Sequence, residues 1–506
     1  VDLPQVSTLD LGSLERFQSE LVDAGFEPRA GGLWLWEGPI AEPLRQFTSA
    51  STMKIAFLDG WPFQHPRLFV DGIDELHMNA HGELCLWHPG AASDQWLSFS
   101  GFLARIAEWA KRTTESDSRP EDFALDAHLA FGNVESRAIA TVELDRLRLG
   151  ESASRVATIS GRWNDAGNLL EISAGSDGHI EGRGYWVTSV RTAPRDLIAA
   201  KALLTPYQQR NFDRRYAAVV ERGEPRVFLF AWQRELGREA LVVLAKKLEG
   251  EVVAQAIQVA PKDMAYLKLR AGPDAQLLSG KHVVVFGAGA IGSNVAFRLA
   301  EAGLGMLTLV DDDQLRPGDV VRHAADRHAI GWTKVEAIFV DLGSRTPWTK
   351  VNPIVERPWS PVRVGEIAQD ADCVVDAVGL ASFTNQLSIL LGPKGTPLVS
   401  AALFRAGSVA RVRRQALPAD VSIAYRSSDG KYPSIPADAT ESFSFEPGCS
   451  APVNNASPVA VAASAALTAG VTIDFLAGRA HWGDEVIEVY RALEEPPFDC
   501  VGTFRS

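Results

Sequence analysis

The stretch KHVVVFGAGAIGSNVAFRLAEAGLGMLTLVDDD, residues 281–313, leaves little freedom to the fold around it. HVVVF is a near-continuous apolar run of strand length, as a strand covered on both faces requires. Gly287, Gly289 and Gly292 follow at once in the spacing GxGxxG, and the residues behind them carry apolar side chains at helical spacing. MLTLV then supplies a second strand that ends on Asp311, Asp312 and Asp313. Strand, glycine turn, helix, strand is a βαβ unit of the doubly wound class. Glycines let the backbone turn tightly and approach a phosphate, whose charge is favoured at a helix N-terminus. Asp311 stands at the strand tip, where a ribose hydroxyl would be held, with Asp313 beside it. A nucleotide site is expected here.

The glycine motif does not choose between NAD and ATP. The next segment, DDDQLRPGDVVRHAADRHAIGWTKVEA (311–337), does. A dehydrogenase leaves its pyrophosphate intact and needs no cations just past the ribose acid. An adenylating enzyme builds negative charge on a leaving pyrophosphate, and cations there lower the barrier. Arg322 and Lys334 suit that role. CVVDAVG (373–379), another buried strand, ends near Asp376, an acid placed to hold Mg2+ on the phosphates. ATP with Mg2+ is the expected pair.

Residues 267–345 resemble the ThiF/MoeB/ubiquitin-activating superfamily, whose members adenylate the C-terminal glycine carboxylate of a small protein. The resemblance rests on the Gly-rich loop, Asp311, Arg322-His323, Gly331-x-x-Lys334 and Asp376. Asp319 stands where the family usually has Asn near the phosphates; either the alignment slips there or the polar contact differs. Arg270 precedes the first strand where the family often has an arginine reaching a partner subunit's ATP; an ordinary surface arginine is the other reading. The resemblance also implies a homodimer through the adenylation domains.

Forming an acyl-adenylate is half a reaction, and the family often captures the acyl group on a thiol. FEPGCSAPVNNASPVAVAASAALTAG places Cys449 in a Gly/Pro/Asn-rich loop, with Ser457 and Pro458 as cap and first position of an Ala-rich helix. This resembles the crossover-loop cysteine of autophagy-type activating enzymes, and an exposed loop thiol is what a thioester-forming nucleophile needs. Cys373, inside ADCVVDAV, reads as core, and Cys500 has no supporting pattern. Far upstream, WPFQHPRLFVDGIDELHMNAHGELCLWHPG (61–90) resembles the ubiquitin-conjugating fold. Phe63 with His65-Pro66 matches its strand entry, His77-Met78-Asn79 its His-Pro-Asn, and Gly82-Glu83-Leu84-Cys85-Leu86 its Gly-x-Ile-Cys-Leu. The match implies Cys85 as thioester acceptor, Asn79 as donor to the tetrahedral oxyanion, and His77 as a residue that positions the loop. Met78 in place of Pro and a short gap between Asn79 and Cys85 depart from the pattern.

At 506 residues the chain exceeds a single core, and three domains are expected. Residues 1–148 read as an α+β, ubiquitin-conjugating-like domain: SLERFQSELVDAG is a helix with a Ser cap and a Gly stop, GGLWLWEGPI, STMKIAFLDG and RLFVDGI are strands, and WLSFSGFLARIAEWAKR is a later helix. Residues 149–262 read as a connecting α/β domain without a chemical motif, and 263–506 as a Rossmann-like adenylation domain. A net charge of −13 argues against nucleic acid or an anionic membrane as main partner. The apolar run 456–478 is mostly alanine and carries Asp474, so a buried helix is expected rather than a membrane span. The four cysteines are scattered with no CxxC pair, which excludes the usual structural zinc arrangement and fits a reducing cytosol; no leader is visible.

Together these features resemble a bacterial fused activating and conjugating enzyme of the kind found in CBASS antiviral operons. The carrier implied is a protein with a C-terminal glycine, the C-terminus of a cGAS-like nucleotidyltransferase, joined to a target amine. The same cascade on a dedicated ubiquitin-like protein is the near alternative. Sulfur-carrier activation is another, though it predicts no Cys85 domain, and a nucleotide-binding scaffold would leave both loop cysteines idle.

Overall fold

The computed structural model describes residues 12–505 except 30–33, 58–60, 74, 76–81, 88–94, 116–130, 132–137, 153–154, 189, 191–193, 235–236, 358–359, 429–430, 439–441 and 445–452. The chain forms two compact units, Val1–Asp263 and Met264–Ser506.

The first unit opens with helix α1 (Ser13–Asp23), which buries Ser13, Phe17 and Leu21 at four-residue spacing. Ser13 is not its cap. The cap position is Gly12, and the Ser13 hydroxyl instead accepts from Trp61 Nε1 at 3.2 Å. Gly25, with φ +83, ends the helix as expected. Strands β1 (Glu27–Pro28), β2 (Leu35–Pro39), β3 (Thr52–Ala56), β4 (Arg67–Phe69) and β5 (Glu83–Leu84) form an antiparallel sheet in that order. Trp36 pairs with Ile55, Ile55 with Leu68 and Leu68 with Leu84, so one face of the sheet is a continuous apolar row. Helix α2 (Phe99–Glu115) covers it with Phe102, Ile106 and Trp109.

The rest of this unit is a closed barrel of β6 (Ile139–Val142), β7 (Val156–Trp163), β8 (Leu169–Ala174), β9 (Ile180–Trp186), β10 (Arg226–Arg234), β11 (Gly237–Leu248) and β12 (Glu251–Pro261). The order around it is β10-β11-β12-β6-β8-β7-β9. Alternate residues of β10 serve two cores: Val227, Leu229 and Ala231 cluster with the other strands, while Phe228, Phe230 and Trp232 pack against helix α3 (Pro206–Arg222). Two expectations change. β6 pairs with β12 and β8, so the barrel begins before residue 149 and a cut at 148 would sever it. The segment is also a β-barrel flanked by helices rather than the α/β domain expected, and Thr205 starts α3 as its cap through a reciprocal pair with Gln208.

In the second unit, β13 (His282–Phe286), α4 (Ala290–Glu301), β14 (Met306–Val310), α5 (Lys334–Arg345), β15 (Lys350–Ile354), α6 (Pro361–Ile367), β16 (Cys373–Asp376), α7 (Ala381–Leu391), β17 (Leu398–Phe404) and β18 (Val409–Gln415) follow in sequence. A two-stranded pair, β19 (Phe443–Ser444) with β20 (Val453–Asn454), precedes helix α8 (Pro458–Leu476) and strands β21 (Glu485–Val489) and β22 (Gly502–Arg505). The large sheet runs β15-β14-β13-β16-β17-β18-β21-β22, parallel through its first five strands. That is the Rossmann-like order, with strand order reversing between β13 and β16. α4, α5 and α8 cover one face and α6 and α7 the other. α8 is long and apolar enough to cross a membrane by composition, yet Ala465, Val471 and Leu476 pack into the core and Asp474 is buried against Arg479 and His481. Ser457 caps α8 and Pro458 takes its first position, as the sequence predicts.

Candidate active site

Each glycine of the GxGxxG loop is bare for its own reason. Gly287 has φ +86, and a Cβ there would lie 2.9 Å from the backbone of Ala377 and Val378. A Cβ on Gly292 would stand 1.8 Å from the Gly287 carbonyl oxygen, so α4 can start only over naked backbone. Gly289, the N-cap of α4, has no protein atom within 4 Å of its virtual Cβ and lines a cleft. Its bareness opens toward whatever occupies that cleft.

Between these glycines Ala288 is held from both sides. Its N–H donates to Asp311 Oδ2 at 2.7 Å, and its carbonyl accepts from His323 Nε2 at 2.8 Å. His323 Nδ1 accepts from the Ala325 N–H at 3.1 Å, so this network assigns the ring as neutral with its proton on Nε2. Burial pushes the His323 pKa below its ordinary value. Above about pH 6.5 the ring is neutral in both folded and unfolded chains; below it the unfolded chain takes a proton that the folded pocket refuses. The second unit should therefore lose stability as pH falls from about 7.5 to 5.5, at no more than about 1.4 kcal/mol per pH unit from this group. Thermal melts of wild type and His323→Gln across that range check it, the variant being expected to show the shallower slope. His65, also shifted down by burial, has the same sign in the first unit.

The cleft, about 1050 Å³, lies at the C-terminal ends of β13, β14 and β16, where the strand order reverses. Asp311, Asp312 and Asp313 line one side. Lys334, 9% exposed at the first position of α5, reaches it with Nζ 2.5 Å from Asp313 Oδ2. Burial alone would raise the Asp313 carboxyl; the Lys334 hydrogen bond and charge outweigh it and hold the group below its usual range. The opposite wall, formed by Leu380, Phe383 and Leu387 on and before α7, is apolar and was not foreseen, because it carries no charged motif. Phe383 meets Phe286 edge-on with centroids 5.8 Å apart, which adds apolar surface to the same cleft as the acids.

Gly287, Gly289, Asp311, Asp313 and Lys334 thus line one cleft, and Gly292 packs against the Gly287 carbonyl. Arg322 does not line the cleft: its NH1 donates to the carbonyls of Asn454 at 2.5 Å and Ala456 at 3.2 Å, just past Cys449 in sequence. Asp319 shapes the turn before it, accepting from the Arg316 N–H at 2.9 Å. Arg270 is exposed in a short turn, Lys268–Arg270.

Asp376 differs most from expectation. It is 1% exposed, with Oδ2 accepting from Thr384 Oγ1 at 2.5 Å and Ser400 Oγ at 3.2 Å and Oδ1 from the Val378 N–H at 3.1 Å. Burial raises its carboxyl pKa against those hydrogen bonds and the nearby Arg413 charge. With both oxygens engaged in protein hydrogen bonds, it underlies the cleft rather than lining it. No group of three or more His, Cys, Asp or Glu is arranged to hold a metal among the described residues. A Mg2+ ion beside Asp376 would thus take most of its oxygens from the nucleotide's phosphates and water rather than from protein side chains. Thr384, Ser400 and Arg413, which fix this acid, left no signal in the sequence.

Cys85 is half-buried at the end of β5, whereas Asn79 and Cys449 lie outside the described residues. Cys373 is fully buried and its thiol is pushed up to about 12 by desolvation, as a core cysteine should be; Cys500 is exposed.

Residues 263–487 match the ThiF family model. The "uncharacterized protein y4oA" of Sinorhizobium fredii is 28% identical over 265 residues, 46% of this chain and 44% of that protein. The "ATP-dependent ubiquitin transferase-like protein Cap2" of Pseudomonas aeruginosa is 29% identical over 185 residues, 34% of this chain and 33% of that protein. The chain spans less than half the length of either relative. A crystal structure of E. coli MccB with AMPCPP and MccA aligns with a TM-score of 0.36 at 17% identity, covering 48% of this chain and 66% of that one. Glycine loop, acidic strand tip and buried lysine all fall within residues 263–487, the segment that matches the ThiF family model.

Proposed function

We propose that this chain activates the C-terminal glycine carboxylate of a protein carrier with ATP and passes it, through thioesters on Cys449 and then Cys85, to a target amine. The observation that carries the first step is the convergence of Lys334, Asp313 and Asp311 on a cleft that Gly287 and Gly289 of the Gly-rich loop also line. A phosphate would meet the bare backbone at Gly289 and the N-terminus of α4, Asp311 would take a ribose hydroxyl, and Lys334 would face the charge that builds on the leaving pyrophosphate. The carrier carboxylate attacks the α-phosphorus, its new P–O bond replacing the one to pyrophosphate.

The Cys449 thiolate then attacks the acyl carbon and AMP leaves. Arg322 supports this step, since it ties the turn after the aspartates to the backbone just beyond Cys449. Exchange to Cys85 trades one thioester for another and needs positioning more than driving force. Aminolysis releases the Cys85 thiolate and a proton to water. One helix, a meander, a cysteine after the last strand and then a further helix is an order that suits a ubiquitin-conjugating-like domain. The carrier proposed is a cGAS-like nucleotidyltransferase in CBASS-type defence, acting in the cytoplasm with the enzyme as a homodimer; Mg2+ would enter with the nucleotide.

ATP–pyrophosphate exchange should appear only with the right C-terminal peptide, and no exchange with cGAS-like, ubiquitin-like or sulfur-carrier C-termini would defeat the adenylation reading. Intact mass without reductant should show carrier adducts that Cys449→Ala abolishes and Cys85→Ala reduces to one site. An adduct surviving the double substitution would place the thioester elsewhere.

A further inference from the structure

Cys85 follows β5 without a break, and packing fixes its surroundings. Leu84, Leu86 and Trp87 are buried in the core of the first sheet, and the Leu86 N–H returns to the Leu84 carbonyl at 3.0 Å. This tight return leaves Cys85 between two anchored leucines, with Sγ making only a weak contact to the Trp87 carbonyl at 3.8 Å. From α2, Arg105 Nε donates to the Leu86 carbonyl and NH1 to Glu108 Oε2 at 2.7 Å. The other Glu108 oxygen accepts from Arg112 NH2 at 2.5 Å, so the guanidinium is braced from behind. The Arg105 side chain is only 18% exposed. A guanidinium cannot lose its charge, and its planar fork is held in one orientation by two fixed acceptors.

The other charged groups around the thiol among the described residues are few. Glu83 lies on its own strand and pairs with Arg67 at 3.5 Å; Glu108 and Arg112 sit behind Arg105 on α2; the His65 ring lies 5.0 Å from Trp87. Burial and Glu83 push the thiol pKa up, and Arg105 is the group that opposes them.

Resting on the reading of Cys85 as a thioester acceptor, we propose that Arg105 is its positioning residue. It locks the Leu86 carbonyl so that the cysteine backbone cannot swing, and it supplies the positive charge that stabilises the Cys85 thiolate. That thiolate forms the new S–C bond as the bond to the donor sulfur breaks, and it is the leaving group when the amine attacks; one fixed cation serves both halves.

Iodoacetamide labelling of the Cys85 peptide in the full chain, followed by mass spectrometry between about pH 6 and 10, reads the thiolate population directly. Arg105→Gln should slow labelling at about pH 8 by roughly three- to ten-fold and move the profile to higher pH. Arg105→Lys, which keeps the charge and loses the fork, should label nearly as wild type yet accept the carrier more slowly. A folded Arg105→Gln chain with the wild-type labelling profile would overturn the proposal. Should that variant melt early, Arg105→Lys decides, and carrier transfer at the wild-type rate would overturn it equally. A wild-type chain that never forms a thioester at Cys85 would sink the reading of the cysteine while leaving the labelling profiles intact, so the two failures are distinct.

Discussion

Lys334→Ala should lower ATP–pyrophosphate exchange by about 10²- to 10³-fold, the effect of removing one preorganised group that meets charge as it develops. The side chain has the attributes such a group needs. It is nearly buried, it starts α5 from a capped N-terminus, and it is aimed into the cleft by Asp313 at 2.5 Å. A buried ammonium with one carboxylate partner in a low-dielectric cleft is worth more to a phosphate than a surface lysine would be. The loss should be catalytic and not structural. Asp313, the partner left behind, has a side chain 46% exposed, so water can take over its solvation and the cost to stability is about 1 kcal/mol or less. Thermal melting within a few degrees of wild type, together with the loss of exchange, is therefore the expected pair of results. Wild-type exchange in a folded Lys334→Ala chain would remove this residue from the mechanism. Lys334→Arg should recover only part of the activity, because Arg is longer and its fork is already half-committed to Asp313.

What could be read from the sequence was what local chemistry dictates. Parallel strands covered on both faces appear as near-continuous apolar runs, and HVVVF, MLTLV and CVVD, each with one polar residue, are such runs. The glycine loop between them was legible because each glycine answers a backbone requirement within a few residues or at the next strand. The α8 cap was legible for the same reason. The barrel was not. Its closure depends on β6 pairing with β12 and β8, and on β9 lying parallel to β10, contacts between distant segments that leave no local pattern. β12, EVVAQAIQVAP, mixes small and polar residues because much of it is only half-buried, so it lacks the alternation that marks a strand. Arg322 and Asp376 show a subtler limit. Residue type and spacing brought each to the right neighbourhood, but whether a charge faces a ligand or its own backbone depends on a few ångströms: Arg322 turns to Asn454 and Ala456, and Asp376 is claimed by Thr384 and Ser400.

The glycine loop offers a second large effect, and one that separates fold from ligand. Gly292→Ala places a Cβ 1.8 Å from the Gly287 carbonyl oxygen, a backbone atom that cannot rotate away. α4 and the turn must move apart, at a cost of about 3 kcal/mol or more, which in a unit of this size lowers the melting temperature by roughly 6–12 °C. The movement also carries off Ala288, and with it the hydrogen bonds to Asp311 and His323 that hold the loop against the cleft. ATP binding should fall below detection in calorimetry. Gly289→Ala is the control built into the same motif: its φ is −74°, its virtual Cβ meets no protein atom within 4 Å, and the melt should shift by no more than about 2 °C. If a phosphate approaches the bare backbone there, the added methyl should cost about ten-fold in ATP affinity. Wild-type affinity in Gly289→Ala would mean that the nucleotide lies elsewhere in the cleft. The loss in Gly292→Ala would then report a broken loop and nothing about where phosphate binds.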